Sequence, residues 1–191
     1  MKKFNRDKAK EIIAEMMLNE SNCNLEELKD DFPYYDYIEE INSLLEEGKI
    51  LGLSKQNHIR IQKNEWLDIE FSLAFKPVYQ LYFIDSFLHV TNQYLEKRLL
   101  ELKIESSVIG IKEPTGKCPC CEYYSIDYGE DGDYDVCPVC FWENGGNGPN
   151  HMTLEEAQHN FNTFGAKSKT ALEFTDKEGK LKYKKASKTS P

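Results

Sequence analysis

Apolar residues recur along the first third of the chain at the spacing of amphipathic helices. Ala9, Ile12, Ile13, Met16 and Met17 fall on one face of a helix predicted over residues 6–18. Asn24 with Glu27 forms a capping pair for a second helix, whose apolar side is Leu25, Leu28 and Phe32 and which Pro33 ends. Tyr34 or Tyr35, Ile38, Ile41 and Leu45 step through a third, closed by Gly48. The period then shortens, and residues 50–53 and 58–61 read as two short strands. Leu67, Ile69, Phe71, Leu73 and Phe75 alternate with Asp68, Glu70, Ser72 and Ala74, the pattern of a half-buried strand. From Pro77 to about Lys103 there is neither Gly nor another Pro, which predicts one long helix. Leu81, Leu88, Leu95 and Leu102 lie seven apart in it, but Thr91 and Arg98 interrupt the apolar seam, so a core helix is expected rather than a coiled coil. Residues 106–112 read as a strand or a strand-like linker, Thr153 with Glu156 caps a helix ending at Gly165, and past about Leu172 the chain turns polar and is expected to be loosely held.

Three helices followed by a hairpin, over residues 3–62, resemble the topology of a winged-helix domain. The expected fold class is therefore α+β: a winged-helix-like domain at 1–64, a strand plus long connecting helix at 65–113, a small zinc-ribbon-like domain at 114–172 and a tail at 173–191.

The chemistry is concentrated in one segment. Five of six cysteines lie between 118 and 140, and Cys118, Cys121, Cys137 and Cys140 form two Cys-x2-Cys knuckles separated by fifteen residues. That spacing suits a tetrahedral Zn(II) site of structural type, because four thiolates leave no open position for a catalytic water. Iron is chemically admissible, and the short separation favours zinc. Cys120 is the sulfur in question: a packing residue, a substitute for Cys121, or a redox-active thiol. Residues 123–127 and 134–136 read as the strands of a hairpin joining the knuckles. His151 and His159 lie close in sequence and are expected to face solvent. Phe141 and Trp142 are expected to fill the small core beneath the metal.

The run Lys117-Cys118-Pro119-Cys120-Cys121, then Tyr134-Asp135-Val136-Cys137-Pro138-Val139-Cys140-Phe141-Trp142-Glu143, then Pro149-Asn150 and Leu154-Glu155-Glu156-Ala157-Gln158, resembles the bacterial cysteine-rich CPCC domain family. The likeness continues through Asn160-Phe161 and Phe164-Gly165-Ala166 and covers about a quarter of the chain. Two positions depart from the family pattern: Glu122 replaces a usual Gly, and Asn144 an acidic residue. The resemblance implies a metal-binding fold and carries no reaction with it.

Charge narrows the partner. With 33 Asp and Glu against 24 Lys and Arg, the net charge is −9, which disfavours nucleic acid and suits a protein with a basic surface. The third helix carries Asp36, Glu39, Glu40, Glu46 and Glu47 where a DNA-reading helix would carry cations. No run of about 18 apolar residues and no leader-like N-terminus is present, so a cytoplasmic location is expected. No Ser-His-Asp set, phosphate loop or His-Glu-x-x-His helix is found. The expected function is non-enzymatic protein recognition, one form being an immunity or antitoxin-type protein. The alternative is a winged-helix regulator with a zinc- or redox-sensing cysteine cluster, whose DNA-binding patch would include Lys55, Arg60 and Lys63.

Overall fold

The computed structural model describes residues 2–19, 38–48, 59, 63 and 76–187. The helix expected at 24–32 and the strands at 50–53, 58–61 and 67–75 lie outside the described residues, apart from Ile59. The chain divides into two compact units, residues 10–86 and residues 1–9 with 87–191.

In the unit of residues 10–86, helix α1 (Arg6–Asn19), which begins upstream of the division, presents Ile13, Ala14 and Leu18 as its buried side. Ile12, Met16 and Met17, expected on the same face, are half-buried. Helix α2 (Ile38–Glu46) buries Ile41, and helix α3 (Lys76–Asp85) buries Val78 and Tyr79. Glu39 and Glu40 sit in the first turn of α2, where they complement the positive end of the helix dipole.

The other unit opens with strand β1 (Lys2–Asn5), which pairs in parallel with β2 (Ser106–Ile109), Phe4 opposite Val108. Residues 2–5 were expected within the winged-helix-like domain at 1–64, and this long-range partner was not foreseen, because four residues are too few to show a period. Arg6 closes the joint. Its buried guanidinium donates to the Glu113 carboxylate (2.6 Å), to Asn92 Oδ1 (2.6 Å) and to the carbonyls of Leu88 and Val90. A buried cation is tolerable only when paired and hydrogen-bonded in this way.

The long helix expected over 77–103 is two helices, α3 and α4 (Asn92–Glu101). Thr91 ends the continuity: its extended backbone and side-chain oxygen, which accepts from Tyr94 N at 3.2 Å, make it the N-cap of α4. Between the helices Phe87 and Val90 turn inward and are buried. The seven-residue leucine repeat is thereby cut, with Leu95 buried and Leu88 37% exposed.

Downstream, β3 (Gly116–Lys117) pairs antiparallel with β4 (Tyr124–Ile126). Gly116 is required here, since a Cβ would come within 2.1 Å of the Asp127 carbonyl oxygen. A short helix, α5 (Asn147–Asn150), precedes α6 (Leu154–Phe164), which has the expected capping box: Thr153 N donates to Glu156 and Glu156 N to Thr153 Oγ1. Helix α6 buries Ala157 and Phe161 and stops at Gly165 in the left-handed region, φ 98°.

The segment expected to be a loose tail takes up defined structure over residues 173–187. A 3-10 turn at Thr170–Phe174 and helix α7 (Gly179–Lys182) lead to a bridge between Lys185 and Tyr123. Tyr124 N donates to Lys184 O and Ala186 N to Glu122 O, so this strap adds a third strand-like layer to the β3–β4 hairpin. Backbone bonds and ion pairs make up much of its attachment beside the scattered apolar contacts of Phe174 and Tyr183, which is why apolar patterning did not reveal it. Lys97 and the Tyr94 hydroxyl both bond Glu178, at 2.5 and 2.7 Å, and Lys182 pairs with Asp176 at 2.5 Å.

Candidate metal centre

Each knuckle is the turn of its own hairpin, and the two turns are built alike. Cys118 N donates to Tyr123 O and Glu122 N to Cys118 O; Cys137 N donates to Trp142 O and Phe141 N to Cys137 O. Pro119 and Pro138 hold the matching second position, where a fixed φ and a missing N–H suit the turn. The residue after each knuckle is left-handed, with φ 64° at both Glu122 and Phe141. Glycine is the residue that takes this conformation without strain, so the departure at Glu122 has a conformational cost and no visible chemical one.

The hairpin pairing differs from the sequence expectation. Residues 124–126 pair with 116–117, not with 134–136, and Val136 bridges Glu143 across the second knuckle. Two hairpin turns of like construction, in place of one hairpin linking the knuckles, bring the sulfurs together.

Cys118, Cys121, Cys137 and Cys140 are all buried, and their sulfur atoms lie within 4.8 Å of one another. Cys118 Sγ is 3.6 Å from Cys140 Sγ and Cys121 Sγ is 3.6 Å from Cys137 Sγ, two contacts that run between knuckles. Among the described residues this is the group whose geometry can hold a metal ion. Four converging sulfurs with no carboxylate or imidazole among them fit a thiophilic cation. Cys120 is also buried but stands outside the four, packed in the same core. Cys23 lies outside the described residues.

Electrostatics show the same convergence. Hydrogen bonds from Cys118, then Cys121 and Cys140, with a further one from Ser125, hold the Cys137 thiol far below its ordinary range. Cys121 and Cys140 are pushed up, each first by its contact with Cys118. Ser125 Oγ lies 3.1 Å from the Cys137 sulfur. Ser125 was not singled out from the sequence, since an isolated serine in a strand carries no signal.

The surroundings fix both turns. Trp142 is 2% exposed and fills the core with Ala157, Phe161, Val139 and Ile126, as expected. Phe141 is only half-buried; it stacks on Phe174 at 5.2 Å with Lys167 over its ring. Gln158 bonds the Pro119 carbonyl and Asp176 N the Pro138 carbonyl, so α6 and the strap each hold one knuckle. Asn150, 3% exposed, accepts from Glu143 N and Lys167 Nζ and donates to Glu143 O and Gly146 O. Its neighbourhood was legible as a motif, its role as a four-bond pin was not. His151 and His159 are exposed and stand away from the sulfurs, lining a separate surface recess.

Two knuckle hairpins with four buried, convergent thiols define a small cysteine-cluster domain able to bind one metal ion. Comparison with known families places it further: the family model described as Cysteine-rich CPCC matches residues 116–180, so the C-terminal part of the chain is a cysteine-rich CPCC domain. No curated protein and no solved structure matches the chain.

Proposed function

We propose that the CPCC domain is a structural zinc module in a non-enzymatic protein. The observation that carries this reading is the four-sulfur cluster. Zn–S bonds of about 2.3 Å in a tetrahedron require sulfurs about 3.8 Å apart, close to the two separations of 3.6 Å. Cys118, Cys121, Cys137 and Cys140 are the ligands in this reading, and Cys120 is a buried neighbour. With four thiolates bound the ion has no free position, and its role is to lock two hairpins that bury few apolar residues. Elemental analysis of the purified protein with a native mass measurement tests it. One zinc per chain is expected, and iron or no metal overturns the assignment.

For the protein as a whole we propose recognition of a protein with a basic surface, as an immunity or antitoxin-type protein would perform. Support comes from the net charge of −9 and from α2, where Glu39, Glu40 and Glu47 line one shallow recess with Leu44 and Leu81. Acidic side chains so placed steer cationic partners at low salt. A pull-down from the native host at low salt should return a basic protein released by raised salt; recovery of nucleic acid instead would favour the regulator reading. Among the described residues no helix is long and apolar enough to cross a membrane.

A further inference from the structure

A recess of about 680 Å³ opens beside the start of α4, lined by Gln93, Lys112, Lys180, Leu181, Tyr183 and Lys184 among others. Three of these are lysines and none of the lining residues is acidic, in a chain that carries 33 Asp and Glu. The nearest carboxylate in sequence, Glu113, already receives two N–H groups from Arg6. Lys112 is half-buried, and its Nζ has a long bond of 3.3 Å to the Tyr124 carbonyl. Burial first, then the charges of Arg6 and Lys184, press its ammonium down to about 8. Positive charge is thus concentrated in a recess whose other walls are apolar at Leu181 and the Tyr183 ring and polar at Thr91, Asn92 and Gln93. The first backbone N–H groups of a ten-residue helix open at the same place, with Thr91 as its cap. The strap forms the opposite wall and is fixed there by Thr91 N donating to Lys182 O.

We propose that this recess binds a small organic anion, a phosphate or carboxylate head on a compact apolar body, with Lys112 and Lys184 holding the head. Leu181 and Tyr183 then cover the body. None of the cysteines lines the recess, although Tyr183 packs against the core they form.

Titration calorimetry of the full chain with phenyl phosphate, benzoate and inorganic phosphate tests it. Saturable binding of phenyl phosphate or benzoate is expected, weakened about tenfold or more in Lys112→Gln/Lys184→Gln and unchanged in Lys103→Gln. The tighter of the two aromatic probes identifies the head group. In the unaltered protein, acetylation of Lys112 followed by mass spectrometry should slow at saturating ligand. Absence of saturable binding by both aromatic probes, equal binding to the double variant, or no protection of Lys112 overturns the site. Inorganic phosphate binding as tightly as phenyl phosphate overturns the apolar component.

Discussion

Glu122 and Phe141 occupy equivalent left-handed positions in the two knuckles, yet substitution there should have opposite effects. A non-glycine residue costs about 1–2 kcal/mol in this conformation, partly offset by the backbone entropy that glycine loses on folding. Glu122→Gly is therefore expected to stabilise by about 0.5–1 kcal/mol, read as a raised denaturant midpoint at unchanged slope. Phe141→Gly forfeits the stack on Phe174 and should destabilise. Asn150→Ala removes four hydrogen bonds made by a buried side chain, so a loss of about 2–4 kcal/mol is expected in the same assay. The four clustered cysteines were legible beforehand because spacing alone constrains where sulfurs can meet. Asn150 and Ser125 were not, because one polar residue does not announce which backbone groups will surround it.

At the scale of elements, amphipathic period located α1 and capping chemistry located α6, both strong local signals. Local signals failed where the partner is distant. β1 forms because Arg6 and a strand a hundred residues away receive it, and the strap over residues 175–187 is held by ion pairs and backbone bonds that apolar pattern does not register. The split between α3 and α4 was readable in principle from Thr91, whose capping preference outweighed the absence of Gly and Pro. Thr91→Ala should cost about 1 kcal/mol. The strap should also respond to acid. Hydrogen bonds from Lys97 and then Tyr94 hold the Glu178 carboxyl below its ordinary range. Its contribution is thus present at neutral pH and fades as pH falls through the folded value. The stability gap between the unaltered protein and Glu178→Gln, followed by urea unfolding at stepped pH, should be widest near neutrality and narrow on acidification; a gap independent of pH contradicts the assignment.

Over the whole molecule, one cluster of sulfurs holds together a region with little apolar core of its own. The core there is Trp142, Phe161, Ile126, Val139 and the cysteines themselves. Metal binding to such a site is worth on the order of 10 kcal/mol, comparable with the whole stability of a domain. A strong chelator should therefore abolish amide protection across residues 116–187, and zinc should restore it. The winged-helix resemblance has no such handle, since its second helix and its hairpin lie outside the described residues. The most direct test of the central claim is X-ray absorption at the zinc edge on the protein as purified. A closed thiolate site predicts four sulfur neighbours at about 2.3 Å and no oxygen or nitrogen. Three or fewer sulfurs, a light-atom ligand, or no zinc signal would contradict it.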